Sequence, residues 1–135
     1  MEPIILNPAK VNMVKNILRC TFGILPIITG IDKFFDVLVD WDKYLTPLVK
    51  YIPFSPHTFM LIVGIIEIIA GIIVLIIPRI GAYIVAIWLL CIVVVLILGG
   101  YFDIAARDLV MAISAFCLGE LYSFKQKENK EKVVV

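Results

Sequence analysis

The feature that most constrains this chain is the apolar run from Phe59 to Ile77, interrupted near its middle by a single charge, Glu67. About 20 residues rising 1.5 Å each reach across the hydrocarbon core of a bilayer. A carboxylate at that depth costs a few kcal/mol, so a chain that keeps one pairs it, protonates it or uses it. The run therefore predicts a membrane protein with a polar interior. Composition agrees: of 135 residues, 62% are hydrophobic, and the mean hydropathy of +1.07 exceeds that of ordinary soluble domains. A net charge of +1 gives no basic field for nucleic acid.

Hydropathy and breakers divide the chain into four expected spans, about 13–39, 57–77, 80–98 and 103–124, forming a single all-α, membrane-embedded four-helix bundle. Pro78-Arg79 separates spans two and three, and Gly99-Gly100 separates spans three and four. Residues 125–135 (KQKENKEKVVV) read as a charged, solvated tail. The first residues carry Glu2, Pro3, Pro8 and Lys10 and lack the short apolar core of a signal peptide, so span one is expected to act as its own insertion signal.

Basic residues set the expected orientation. With both termini cytoplasmic, Lys10, Lys15, Arg19, Arg79, Lys125, Lys127, Lys130 and Lys132 fall on or near the cytoplasmic side. The connection 40–56 then lies outside, where Trp41, Tyr44, Tyr51 and Phe54 suit the membrane interface.

Helical phase places the charges. In span one, Arg19, Gly23, Pro26, Gly30 and Lys33 share one face. In span two, Gly64, Glu67 and Gly71 share another, and small residues on such faces let helices approach closely. In span four, Asp108 shares a face with Ala112, Ala115 and Gly119, and Asp103 and Arg107 are spaced to pair along the helix. Lys33 and Asp108 each lie roughly 8 Å in from the outer boundary, with Glu67 about 5 Å deeper. These positions predict an outer cluster of Lys33, Glu67, Asp103, Arg107 and Asp108, and an inner pair of Arg19 and Glu120. The cluster reads either as a functional polar pocket or as internal staples that fix helix register. Asp32 and Asp36 read as interfacial, and His57 as a helix-end residue.

No metal site is expected, because the chain has one histidine and no zinc-ligand spacing. Cys20, Cys91 and Cys117 form no CxxC pair and read as small packing residues, although a Cys20–Cys117 disulfide is conceivable.

The same residues resemble the DoxX family of small four-span membrane proteins. The resemblance rests on Arg19-x3-Gly23-x6-Gly30-x2-Lys33, on Glu67-x3-Gly71, on Arg79-x2-Ala82 and on Asp103-x3-Arg107-Asp108-Leu109, and covers about Val14 to Leu121. It implies a four-helix membrane bundle with Arg19, Lys33, Glu67, Arg107 and Asp108 at the family's polar positions. It also implies an association, in some relatives, with quinone-dependent sulfur or respiratory oxidoreductases, and in eukaryotic relatives with trafficking or assembly of other membrane proteins. Family members linked to thiol chemistry often carry paired cysteines or attached domains, and neither occurs in this sequence.

Three readings follow. The first is a quinone- or lipid-binding accessory subunit of an envelope redox complex in a bacterial cytoplasmic membrane. In it Lys33 or Arg107 would bind a carbonyl head group, Glu67 or Asp108 would exchange protons, and oxidoreductase activity would belong to the complex rather than to this chain alone. The second is a non-catalytic assembly partner of another membrane protein, with self-association left open. The third is a small proton-coupled exporter, although small multidrug exporters carry their acid in the first span and this chain carries Glu67 in the second.

Overall fold

The computed structural model describes residues 7–41, 43, 53 and 55–134, with side chains in the last helix through Ser123. Four helices follow one another, α1 (Pro8–Phe35), α2 (Pro56–Ile76), α3 (Pro78–Leu98) and α4 (Phe102–Val134). No strand occurs among the described residues. The starts of α1, α2 and α3 are written in the sequence. Each begins on a proline, whose missing N–H costs nothing in a first turn. The Asn7 side chain caps α1 by accepting from the Ala9 amide at 3.0 Å, and Ser55 caps α2 by accepting from Thr58 at 3.2 Å.

The ends are equally local. Helix α3 stops at Gly100, whose φ of 83° is left-handed and favours glycine. The amides of Gly100 and Tyr101 fold back onto the carbonyls of Ile97 and Leu96 at 3.1 and 2.9 Å, closing a Schellman turn. Helix α1 stops at Phe35, short of the expected Val39, because Asp36 adopts a left-handed conformation (φ 51°). Helix α4 passes the expected boundary at 124 and continues to Val134, so the backbone of the charged tail is helical rather than loose. The tail's Lys, Glu and Gln residues are good helix formers.

Packing pairs the helices as two antiparallel hairpins. Helices α1 and α2 pack extensively, as do α3 and α4; α2 and α3 join the hairpins, while α1 touches α4 and α3 only lightly. The α1–α2 contact is backbone against backbone. A Cβ placed on Gly30 would lie 2.6 Å from the Gly64 carbonyl oxygen, and one placed on Gly64 would lie 2.7 Å from that of Gly30. Two turns away Gly71 meets Gly23 in the same manner. Only residues without side chains fit here, the small-residue mode of membrane helix packing. Between the hairpins sits a core of small and medium residues, among them Val74, Ala82, Val85, Ala115 and Leu118. A second cluster of Val93, Leu96 and Ala105 fills the end near the α3–α4 turn.

The outer surface is apolar. Ile17, Ile24, Ile28 and Ile31 on α1, Ile65, Ile69 and Ile72 on α2, and Ile80, Ile87 and Val94 on α3 are all exposed. In water such continuous patches would drive association, whereas hydrocarbon solvates them. Three helices, α1, α2 and α3, are long and apolar enough to cross a membrane. At 21 residues, α2 and α3 each span about 30 Å. Helix α4 is more polar, because Asp103, Arg107 and Asp108 fall in its first two turns. It nevertheless lies alongside α3 from Ala105 beside Leu96 to Glu120 against Tyr83. The protein is an integral membrane protein built as an all-helical bundle. Its three cysteines are free and exposed.

Candidate functional site

Along the antiparallel α1–α2 contact Lys33 lies beside Gly64, its Cβ close to where a Cβ on Gly64 would sit. Glu67 lies about one turn away, within reach of Thr29, and the long lysine side chain spans the difference. Lys33 Nζ lies 2.7 Å from Glu67 Oε2, with the two side chains only 4% and 10% exposed. Thr29 Oγ1 is 3.3 Å from the same carboxylate oxygen and 3.2 Å from the Pro26 carbonyl oxygen, so its single proton is shared between them or chooses one. A charge-assisted bond at this distance in a low-dielectric setting is strong. It also offsets the desolvation that each partner suffers in a bilayer.

The chain then covers this pair. Beyond Phe35 the backbone turns at Asp36, and Asp32 Oδ1 accepts the amides of Val37 and Leu38, both at 3.0 Å. The other oxygen, Oδ2, accepts the indole N–H of Trp41 at 2.7 Å. That bond holds the Trp41 ring over Lys33, with Nζ 3.7 Å from the ring centroid. Lys33 is therefore bounded by a carboxylate and by the electron-rich face of an indole. Asp32, expected at the interface, is buried and organises the turn.

Helix α4 contributes a third buried group. Asp108 is as buried as Glu67. Its direct partner is Arg107, at 3.4 Å from Nε to Oδ1, but the Arg107 side chain is 69% exposed. Of the five residues expected in the cluster, Lys33 and Glu67 are joined, and Asp108 is separately buried near this end. Arg107 stands at its edge and Asp103 is set apart. Asp103 is exposed in the first turn of α4, where its charge suits the helix dipole. The expected Asp103–Arg107 pair is not made, because Arg107 turns to its neighbour Asp108.

At the opposite end of the bundle the expected Arg19–Glu120 pair is also not made. Arg19 Nη2 donates to the Leu75 carbonyl in the last turn of α2, a favourable place for a cation. Glu120 accepts from the Tyr83 hydroxyl at 2.5 Å, and Ser123 Oγ lies 3.4 Å from that hydroxyl. The two charges match in depth but not in azimuth: Arg19 faces α2, whereas Glu120 faces α3. Lys15, not expected to matter, is buried and lies 4.0 Å from the centre of the Tyr122 ring.

No family model matches this chain, and neither a curated protein nor a solved structure does. The chemistry of the site must therefore be read from its own residues. Among the described residues no group of three His, Cys, Asp or Glu is placed to hold a metal ion. What this end of the bundle holds is a buried ammonium bonded to one buried carboxylate, Glu67, two further buried carboxylates, Asp32 and Asp108, and an exposed guanidinium beside Asp108. Such a set can donate hydrogen bonds to a carbonyl or phosphoryl oxygen and can exchange a proton. Sequence periodicity pointed to Lys33 and Glu67. It could not point to Trp41, which lies beyond the last helical turn of α1 and follows no helical phase.

Proposed function

We propose that this membrane protein binds an amphiphile with an acceptor-bearing head group, most specifically a quinone, at the Lys33–Glu67–Asp108 cluster. It would serve as an accessory subunit of an envelope redox complex in a bacterial cytoplasmic membrane, with both termini cytoplasmic. The observation that carries this reading is the imbalance of buried charge. A purely structural staple needs one acid for its lysine. Here Lys33 is bonded to Glu67, Asp32 is satisfied by two amides and the Trp41 indole, and Asp108 is a further buried acid whose arginine is mostly exposed. In this reading the surplus carboxylate, Asp108, exchanges protons and the Lys33 ammonium donates to a carbonyl. Reduction of a quinone to a quinol takes up two electrons and two protons. Glu67 or Asp108 would pass protons, Lys33 and Arg107 would hold the carbonyl oxygens, and a partner redox subunit would supply the electrons. The resemblance to the DoxX family would fit this assignment through its redox-linked members and the second reading through its assembly-linked ones.

A second reading has its own support. The direct 2.7 Å bridge between Lys33 and Glu67 joins α1 to α2, as an internal staple in a non-catalytic assembly partner would. Thermal unfolding in lipid nanodiscs separates the two. A ligand at a hundredfold excess over its Kd stabilises its target by about 2.7 kcal/mol, so a short-chain quinone should raise the melting temperature by several degrees. An unchanged melting temperature at saturating quinone, in protein that also carries none from its native membrane, contradicts the quinone reading and favours the staple.

A further inference from the structure

We propose that residues 36–41, with Lys43, form a strap that opens and closes the end of the bundle, with Trp41 as the removable cover of Lys33. That an entering head group takes the place of the indole rests on the quinone reading above; the strap itself does not.

The strap starts on α1 and ends on the other hairpin. Asp32 holds its near side through the amides of Val37 and Leu38 and through the Trp41 indole N–H. At its far side the Lys43 carbonyl accepts the Tyr101 hydroxyl at 3.0 Å, just after the α3–α4 turn. It thus bridges the side of the bundle where α1 and α4 barely touch. Below it the helices are locked by glycine-to-glycine backbone contact, which cannot loosen without separating α1 from α2. The strap has little comparable packing in its first half. Val37 and Leu38 are 79% and 64% exposed. Elements held by polar contacts with few buried apolar ones open at lower free energy than the core beneath them.

Position and chemistry make the opening consequential. The Trp41 ring lies against the same Lys33 ammonium that Glu67 holds. While it is there, no acceptor from a ligand can reach Lys33 from that side. A head group suited to replace it is a planar, uncharged ring bearing a hydrogen-bond acceptor. Its face can lie over the ammonium as the indole does, and its oxygen can accept a proton donor that the indole cannot use.

The test is amine acetylation of the full chain in nanodiscs by a water-soluble N-hydroxysuccinimide ester, with the rate at each lysine read by mass spectrometry. Exposed Lys10 serves as the internal reference. In the unmodified chain Lys33 should react far more slowly than Lys10. Asp32→Asn weakens the latch on Trp41, a hydrogen bond to a charged group, and should speed Lys33 by about tenfold with Lys10 unchanged. Trp41→Ala should speed it at least as much. Tyr101→Phe, at the far end of the strap, is a milder change and should speed it by about threefold; it keeps the test valid if a near-side variant fails to fold. Equal rates at Lys33 in the unmodified chain and in every folded variant overturn the strap, as does a Lys33 rate matching Lys10 at the outset. A short-chain quinone added to Asp32→Asn should return Lys33 to slow labelling. Fast labelling that quinone does not slow overturns the occupant, and with it the quinone reading, while leaving the cover standing.

Discussion

The two ends of the bundle treat similar charges in opposite ways. At the connector end, Lys33 meets Glu67 directly, an indole covers it, and a second acid is buried nearby. At the terminal end, Arg19 and Glu120 ignore each other. One is held by a main-chain carbonyl and the other by a tyrosine hydroxyl, while Lys15 lies beside the Tyr122 ring. Membrane charges near a helix end can reach neutral partners and the water interface. Charges brought together under a cover cannot, and they interact mainly with one another. The difference separates a built cluster from charges that anchor helix ends.

That contrast can be broken by mutation. The largest effect should come from Lys33→Met, which leaves the Glu67 carboxylate buried without its ammonium and should cost about 3–5 kcal/mol. Equilibrium unfolding in nanodiscs or mild detergent measures it. The double variant Lys33→Met with Glu67→Leu should be more stable than Lys33→Met alone, because no unpaired charge remains. Next is Gly30→Val. Its Cβ would press on the Gly64 carbonyl, and overpacking of this kind costs about 1–3 kcal/mol, with loss of the α1–α2 register. A cysteine cross-link across the two helices would report that loss.

At the terminal end the effects should be smaller. Arg19→Met removes a charged donor from the Leu75 carbonyl and should cost about 1.5 kcal/mol. Smallest is Tyr83→Phe, expected near 1 kcal/mol, because Glu120 is exposed and water replaces the hydroxyl. Equal losses for Lys33→Met and Arg19→Met would erase the distinction between the two ends. A loss from Lys33→Met that the Glu67→Leu partner fails to reduce would show that the cost lies in packing rather than in the unpaired carboxylate.

Much of the fold is legible in the sequence because membrane spans obey simple rules. The apolar runs, Pro78 and Gly99-Gly100 mark α2, α3 and their turns, and the phase of Gly23, Gly30, Gly64 and Gly71 marks the faces that meet. The candidate site is less legible for a specific reason. Phase and depth locate a residue on its own helix, but which helix it faces depends on how the helices are arranged around the bundle. Lys33 and Glu67 lie on the two helices joined by glycines, so depth and phase suffice for them. Arg19 and Glu120 lie on α1 and α4, which make few contacts, so equal depth does not pair them. Asp103 is a related case, since an i,i+4 spacing permits a pair with Arg107 but does not stop the arginine from turning to Asp108. Trp41 has no periodic signal at all. Its place follows from the left-handed turn at Asp36 and from hydrogen bonds to Asp32, a residue whose position near the helix end suggests only an interfacial role.

The most direct measurement is native mass spectrometry of the protein released gently from its own membrane, with the Lys33→Met/Glu67→Leu variant alongside. The account predicts a retained quinone on the unmodified chain, with or without a redox subunit, and its loss from the double variant. A bare or merely self-associated unmodified chain, carrying only bulk lipid, would contradict it and make the connector-end charges staples.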